Sequence, residues 1–378
     1  MISYILPTHD RPDQVARSLT ALGELSGDDQ SRLGGAEVII VDNASESPAS
    51  LPRELPNGLT VQTIRLASNQ AAASRNVAAR RARGDWLIML DDDSYPLDMG
   101  FVEVLAEAGP NVAAIGADIT LPDGRREAGG LPEVFVGCGV AIRRQAFLDV
   151  GGYDPAFHYY AEEYDLCAKL LLAGHRIVHD QRFRVRHEKV AAGRDLNVIL
   201  SRLVRNNGWI AQRYAPDSWR AEQLRETIVR YGHIAHNESA QSGYLQGLRE
   251  LFATIDRQPR RPMPRDVFDR FTGLAHVREA LARSPMLAAS TRVAVVNEGK
   301  NAWVVRQALQ ELSVELVDDE GVADVLVVGT LSPGPMLDAW EQRSIGSQPV
   351  IAPWSPRGMP ADGHVMQAAS GSSPVVDR

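Results

Sequence analysis

Cysteine is nearly absent: Cys138 and Cys167 are the two in 378 residues. Each sits among apolar neighbours without metal-ligand spacing, which predicts small core residues of a reduced, cytosolic protein and excludes a disulfide framework. No apolar run approaches the ~18 residues of a membrane span. No signal peptide is visible, because Ile2–Leu6 already reads as a strand. Any membrane role is then peripheral, at the inner face. A positive balance is also lacking: the net charge of −8 argues against general nucleic-acid binding. The one local excess of positive charge is Arg176, Arg182, Arg184, Arg186, Lys189, Arg194, Arg202 and Arg205. It reads mainly as solvated strand and helix faces, with a basic surface for an anionic substrate or lipid as the alternative.

The length allows two domains, one large and one small. Early on, strand and helix patterns alternate as in an α/β domain with a parallel sheet. Strands are expected at Ile2–Leu6, Glu37–Val41, Leu59–Arg65, Trp86–Leu90 and Val112–Ile119, and helices at Pro12–Leu25 and Gln70–Arg83. Leu121–Pro132 reads as a surface loop or hairpin, Tyr164–Ala173 as a helix, and Ile177–His187 as extended. An amphipathic helix follows at Leu196–Tyr214, then helices to about Arg257 and a Pro- and Arg-rich joint at Gln258–Pro264. From Arg292 a second, Rossmann-like unit begins. Its first turn, Asn297-Glu298-Gly299-Lys300-Asn301, lacks the glycine spacing of a dinucleotide site, so the unit is read as serving docking or homodimerisation. The last ten or so residues read as disordered. The expected organisation is 1–215, 216–290 as a helical extension, and 291–378.

The most informative feature is Asp91-Asp92-Asp93 at the end of Trp86-Leu87-Ile88-Met89-Leu90. Unpaired charges are costly to bury, so an apolar strand ending this way delivers its carboxylates to a cleft. Carboxylates two apart on extended chain point the same way and can share a hard divalent cation. The bland alternative is an acidic strand-to-turn junction. Thr8, His9 and Asp10, then Asp42 and Asn43, gather at other strand ends, where open α/β sheets bind ligands.

These motifs, in this order, resemble the family 2 glycosyltransferases of inverting, bacterial type, whose fold is GT-A. The opening Leu6-Pro7-Thr8-His9-Asp10-Arg11-Pro12 resembles that family's first nucleotide-binding loop, and Val41-Asp42-Asn43-Ala44-Ser45 its second strand end. Asn69 with Ala73-Ser74-Arg75-Asn76 is similar to the helix that reaches the nucleotide and diphosphate. Leu90-Asp91-Asp92-Asp93 resembles the DxD metal motif. Gly137-Cys138-Gly139-Val140-Ala141-Ile142-Arg143-Arg144 with Gly151-Gly152-Tyr153-Asp154 resembles the acceptor-side segment. Glu162-Glu163-Tyr164-Asp165-Leu166 stands where the family has Glu-Asp-x-Asp-Leu. The resemblance covers roughly residues 1–215.

It implies a nucleotide-sugar site of Pro7, Thr8, His9, Arg11, Asp42, Asn69, Arg75, Asp91 and Asp92. Asp42 would accept a hydrogen bond from a pyrimidine imide, which favours a UDP-sugar over dTDP or GDP. Asp93, Asp91 and His187 are the implied ligands of Mn²⁺ or Mg²⁺. Asp92 can substitute for either neighbour. Glu163 is the candidate general base. The family's usual residue there is Asp, so the choice between Glu162 and Glu163 stays open, and Asp165 orients the site or caps the helix. An acidic helix N-terminus, favoured by the helix dipole, is the alternative for this cluster. Arg205-Asn206 matches a recurring pair whose role is structural.

The implied function is metal-dependent, inverting transfer of a sugar to an acceptor hydroxyl. The acceptor is left open between a glycan, a lipid-linked glycan, a small molecule and a peptide. A non-catalytic nucleotide-sugar-binding scaffold subunit is the second reading, supported by Glu at the base position. A sugar nucleotidyltransferase ranks last, because no glycine-rich, basic triphosphate loop follows the first strand.

Overall fold

The computed structural model describes residues 1–189, 195–288 and 291–359. Arg194 of the basic segment and the expected disordered tail lie outside them. The strands are β1 (Ile2–Thr8), β2 (Ala36–Asp42), β3 (Thr60–Arg65), β4 (Trp86–Leu90), β5 (Ser94–Pro96), β6 (Val112–Thr120), β7 (Gly139–Arg143), β8 (Arg176–His187), β9 (Arg292–Val296), β10 (Glu315–Leu316), β11 (Val325–Val328) and β12 (Val350–Ile351). The first eight form one mixed sheet in the order β3-β2-β1-β4-β7-β6-β8-β5. β1, β2, β3 and β4 run parallel. β7 is antiparallel to β4 and β6. Every residue of β4 is buried, as a strand between two neighbours and covered on both faces requires.

Helices cover the sheet. α1 (Pro12–Glu24) opens on Pro12 at its first turn, where a missing N–H costs nothing. α2 (Gly27–Ser31), α3 (Ser74–Arg81), α4 (Phe101–Ala106), α5 (Arg144–Asp149) and α6 (Glu162–Leu172) follow. The segment expected as one helix at Gln70–Arg83 is a 3₁₀ turn, Ala71–Ala73, running into α3. α7 (Leu196–Tyr214) is capped by Asp195, whose carboxylate accepts from the N–H groups of Asn197 and Val198. α8 (Asp217–Asn237) and α9 (Gln241–Thr254) pack on it. At Gly243 and Gly247 an added Cβ would meet the α7 backbone at 2.2 Å and 2.5 Å, so these glycines set the approach. Gln258–Pro264 is not a free joint: Arg261 and Met263 donate backbone N–H groups to the Arg213 and Tyr214 carbonyls at the end of α7.

α10 (Arg265–Thr272) and α11 (Leu274–Ala282) lead to the second unit, with α12 (Ala302–Glu311) and α13 (Pro333–Arg343). Its sheet is all parallel, in the order β10-β9-β11-β12. It is not a separate body: Arg126 reaches Asp338 and Glu341 of α13. Ser332 exchanges hydrogen bonds with the backbone of Gly129 at 2.9 Å and 2.6 Å. The basic segment is largely neutralised by ion pairs, Arg182 with Glu107 and Asp180, Arg184 with Asp98, and Arg205 with Glu250. Among the described residues no helix is long and apolar enough to cross a membrane.

Candidate active site

A cleft of about 510 Å³ opens at the carboxyl ends of β1, β2 and β4. It is lined by Pro7, Thr8, His9 and Arg11 from the first loop, by Asn43, Asn69 and Arg75, and by all three aspartates after β4. Glu162, Glu163 and His187 close the other side.

The three aspartates have different partners. Asp91, 40% exposed at its side chain, pairs with Arg75, which is buried and also donates to the Leu90 carbonyl at 2.8 Å. Arg75 is therefore no solvated helix arginine. Asp92 is buried and accepts from Thr8 Oγ1 at 2.9 Å and Arg11 Nη1 at 2.6 Å. Burial outweighs these partners and pushes its carboxyl up to about 7. Asp93 accepts from Arg11 Nη2 at 2.6 Å and lies 3.3 Å from His187 Nε2. Burial opposes its charge, but the bonds from His187 and Arg11 hold it well below the usual carboxylate range.

Strand pairing brings His187 here. β5 pairs with β8 so that Ser94 stands opposite His187. Ser94 Oγ accepts from the Asp91 N–H and donates to the Cys138 carbonyl, both at 2.8 Å, which fixes the turn. His187 Nδ1 lies 2.8 Å from Glu127 Oε2. Burial works against the imidazolium, yet Asp93, Cys138 and Glu127 push its pKa up to about 12.

Asp91, Cys138 and His187 offer ligand atoms within 4.8 Å of one another. Cys138 is thus not confined to apolar surroundings as the sequence implied, and its Sγ is 3.6 Å from His187 Nδ1. Burial raises its thiol pKa, so it is a poor ligand for a hard cation. Asp93 stands outside that trio but faces the same imidazole. The carboxylate and imidazole donors suit Mn²⁺ or Mg²⁺.

Glu162 and Glu163 open α6. The segment before them is strained, with positive φ at His158, Tyr160 and Ala161 (63°, 72° and 64°), a cost of about 1–3 kcal/mol each. Asn206 of α7 holds it, donating through Nδ2 to the carbonyls of Phe157, Tyr159 and Tyr160 at 3.0, 3.0 and 2.6 Å. Each glutamate carries an Oε2 buried without a hydrogen-bond partner. Burial raises both pKa values, and Glu163 raises that of Glu162 further.

Two expected site residues do not line the cleft. Asp165 is fully buried and bound to Arg213, Tyr214 and Lys169. Two positions past Glu163, the helix has turned by about 200°, so Asp165 ties α6 to α7. Asp42 lies beneath the wall, behind Asn43. Its Oδ1 accepts from the Ser45 N–H at 2.9 Å, while Oδ2 is buried without a hydrogen bond and lies 3.8 Å from Arg65 Nε. His9 is on the wall, 42% exposed at its side chain. Asn69 shapes the wall by accepting from the Ala71 N–H at 2.8 Å.

Tyr159, Tyr160 and Glu127 on the wall were not singled out by the sequence, whereas Tyr153 falls in the acceptor-side segment and Lys189 in the basic one. The aromatic pair Tyr159-Tyr160, directly before the acidic run, was the one visible hint.

Residues 3–147 match the family described as glycosyl transferase family 2. A Haemophilus influenzae protein described as an uncharacterized glycosyltransferase is 32% identical over 197 residues, 45% of this chain and 62% of that protein. The O-antigen biosynthesis protein RfbC of Myxococcus xanthus is 25% identical over 231 residues, 51% of this chain and 18% of that protein. The chain thus spans less than two thirds of the length of either relative. The crystal structure of S. aureus TarS 1-349 in complex with UDP-GlcNAc superposes with a TM-score of 0.50 at 14% identity, covering 82% of this chain and 90% of that one, a likeness of fold alone. The family match thus covers residues 3–147, and the sheet order and the superposition place that segment on a GT-A fold.

Proposed function

We propose that the cleft takes a nucleoside-diphosphate sugar and passes the sugar to an acceptor hydroxyl with inversion. The observation that carries this reading is one cleft, about 510 Å³ in volume, that joins the aspartates and His187 to the pair Glu162 and Glu163.

Pro7, Thr8, His9, Arg11 and Asn69 would line the nucleotide side. The Oδ2 of Asp42, which takes no hydrogen bond and has only the longer contact with Arg65, would suit the imide N–H of uracil, which favours UDP. Asp93, Asp91 and His187 would hold Mn²⁺ or Mg²⁺, which when bound neutralises charge developing on the diphosphate leaving group. Arg11 and Arg75 now hold the carboxylates; their guanidinium forks equally fit phosphate oxygens.

The acceptor oxygen attacks the anomeric carbon as the bond to the diphosphate oxygen breaks, and the hydroxyl proton passes to Oε2 of Glu163 or Glu162. A pKa raised by burial makes either carboxylate a stronger base. Asp165 positions α6 through Arg213. Residues 1–215 would form the transferase unit, 216–290 a helical extension and 291–378 the second unit. Two free cysteines suit a reducing, cytoplasmic setting.

The test is Glu163→Gln and Glu162→Gln, each assayed for transfer or donor hydrolysis and for UDP binding. The base variant loses turnover by on the order of 10²–10⁴-fold and keeps nucleotide binding. Full turnover in both overturns the reading.

A further inference from the structure

The second unit has a cleft of its own. In its sheet, β9 is flanked by β10 on one side and β11 on the other, all parallel, so the strand order reverses between β9 and β11. In open parallel sheets that switch point, at the carboxyl ends of the strands, is where ligands bind. The loops after β9 and β11 are drawn together there. A Cβ at Gly299 would meet Thr330 Oγ1 at 2.9 Å, and one at Gly329 would meet Val295 Cγ1 at 2.7 Å. These glycines lack dinucleotide spacing but permit a close approach that larger residues would block.

A cleft of about 470 Å³ opens at this point, within the roughly 300–1,000 Å³ of ligand sites. Asn297, Thr330 and Gln342 line one side, and Arg125 and Lys189 the other. Lys189 also lines the donor cleft. It stands between the two, its Nζ donating to Glu127 Oε1 at 2.5 Å, while Glu127 Oε2 bonds His187 at 2.8 Å. Three linked side chains therefore run from the second cleft to the candidate cation ligands.

The wall chemistry narrows the ligand. It mixes amides, a hydroxyl, two carboxylates (Glu298 and Asp338) and three cations (Arg125, Arg126 and Lys189). Each of these charges already has a partner, Arg125 with Asp123, Arg126 with Asp118, Asp338 and Glu341, Lys189 with Glu127 and Glu298 with Arg306, so little charge is left open, which suits a neutral ligand over a polyanion. No aromatic ring is among the described lining residues, so a nucleobase finds no stacking platform there. Short amide, hydroxyl and carboxylate groups match the alternating donors and acceptors of sugar hydroxyls.

We propose that this cleft is the acceptor subsite and binds a neutral, polyhydroxylated glycan chain whose end passes Lys189 into the donor cleft. The proposal rests on the transfer reading above for the word acceptor, and on the cleft alone for glycan binding.

The full chain is applied to a printed array of neutral and acidic oligosaccharides, without donor or metal, and bound glycans are confirmed in solution by saturation-transfer NMR. Gln342→Trp fills the cleft from an exposed position on α13, and Gln342→Ala controls for the loss of the amide. The expected result is a neutral glycan that binds the wild type, binds Gln342→Ala within a few-fold, and is lost by at least about tenfold in Gln342→Trp, a change of 1.4 kcal/mol or more, with unchanged melting temperature. No glycan bound, acidic glycans alone bound, or binding equal in Gln342→Trp overturns the proposal. UDP titration of the same samples separates the two readings. A protein that binds UDP but no glycan keeps the transfer reading and loses this one. A protein that binds the glycan but never UDP loses the acceptor role.

Discussion

Glu127 Oε2 and His187 Nδ1 lie 2.8 Å apart, joining two residues that are 60 positions apart in sequence. The bond leaves the other ring nitrogen, Nε2, facing Asp93 at 3.3 Å. A carboxylate behind an imidazole fixes the ring and raises its basicity as a ligand. Glu127 in turn lies on a loop that the second unit holds. Ser332 bonds Gly129, and Gly334 packs so closely that a Cβ there would meet the Glu127 carbonyl at 2.4 Å.

Glu127→Gln keeps the shape and removes the charge. It is expected to weaken Mn²⁺-dependent nucleotide binding by about 10–100-fold, with metal-free binding unchanged. Titration calorimetry with and without the ion reads both. Equal affinities in variant and wild type would reduce Glu127 to a loop residue.

Glu162→Gln is expected to stabilise the protein more at pH 8 than at pH 5. Burial, then Glu163, raises the Glu162 pKa in the folded state, so its contribution is fully present below the unfolded value and is lost as pH rises through the folded one. The amide has no charge to bury. Melting temperatures at the two pH values check the sign, and a gain larger at pH 5 refutes it.

Arg126→Ala should lower unfolding stability by about 2 kcal/mol, because Asp118 is left nearly buried without its partner while the pairs to α13 are more exposed. Urea denaturation measures the loss. A change within error would mean that these pairs add little to the contact between the units.

Asn206→Ala removes the amide that holds the strained segment before Glu162. With three carbonyl bonds gone, turnover should fall at least about tenfold, 1.4 kcal/mol in barrier, while UDP binding is kept. Loss of both together would point to a collapsed fold, which circular dichroism distinguishes.

The strand that ends in the aspartates was legible because a fully buried strand is an unbroken apolar run, and Trp86–Leu90 is one. α7 was legible from its amphipathic period and the strands of the second unit from their apolar runs. β5 was not: three residues carry no period, and their pairing with β8 is a long-range event. Glu127 was hidden for the same reason, as one charge in a Gly- and Pro-punctuated loop whose meaning comes from a histidine far along the chain. The motif sets Asp165 beside Glu163, and only the helix turn, which carries it to Arg213 and Tyr214, shows that it lies off the cleft wall and ties α6 to α7.

The aspartates and His187 are expected to act as a cation-dependent nucleotide site. Titration calorimetry with UDP, in the presence and absence of Mn²⁺, on the wild type and Asp93→Ala tests it most directly. The expected result is binding that needs Mn²⁺ in the wild type and disappears in Asp93→Ala. No UDP binding, or binding indifferent to both the ion and the substitution, would contradict it.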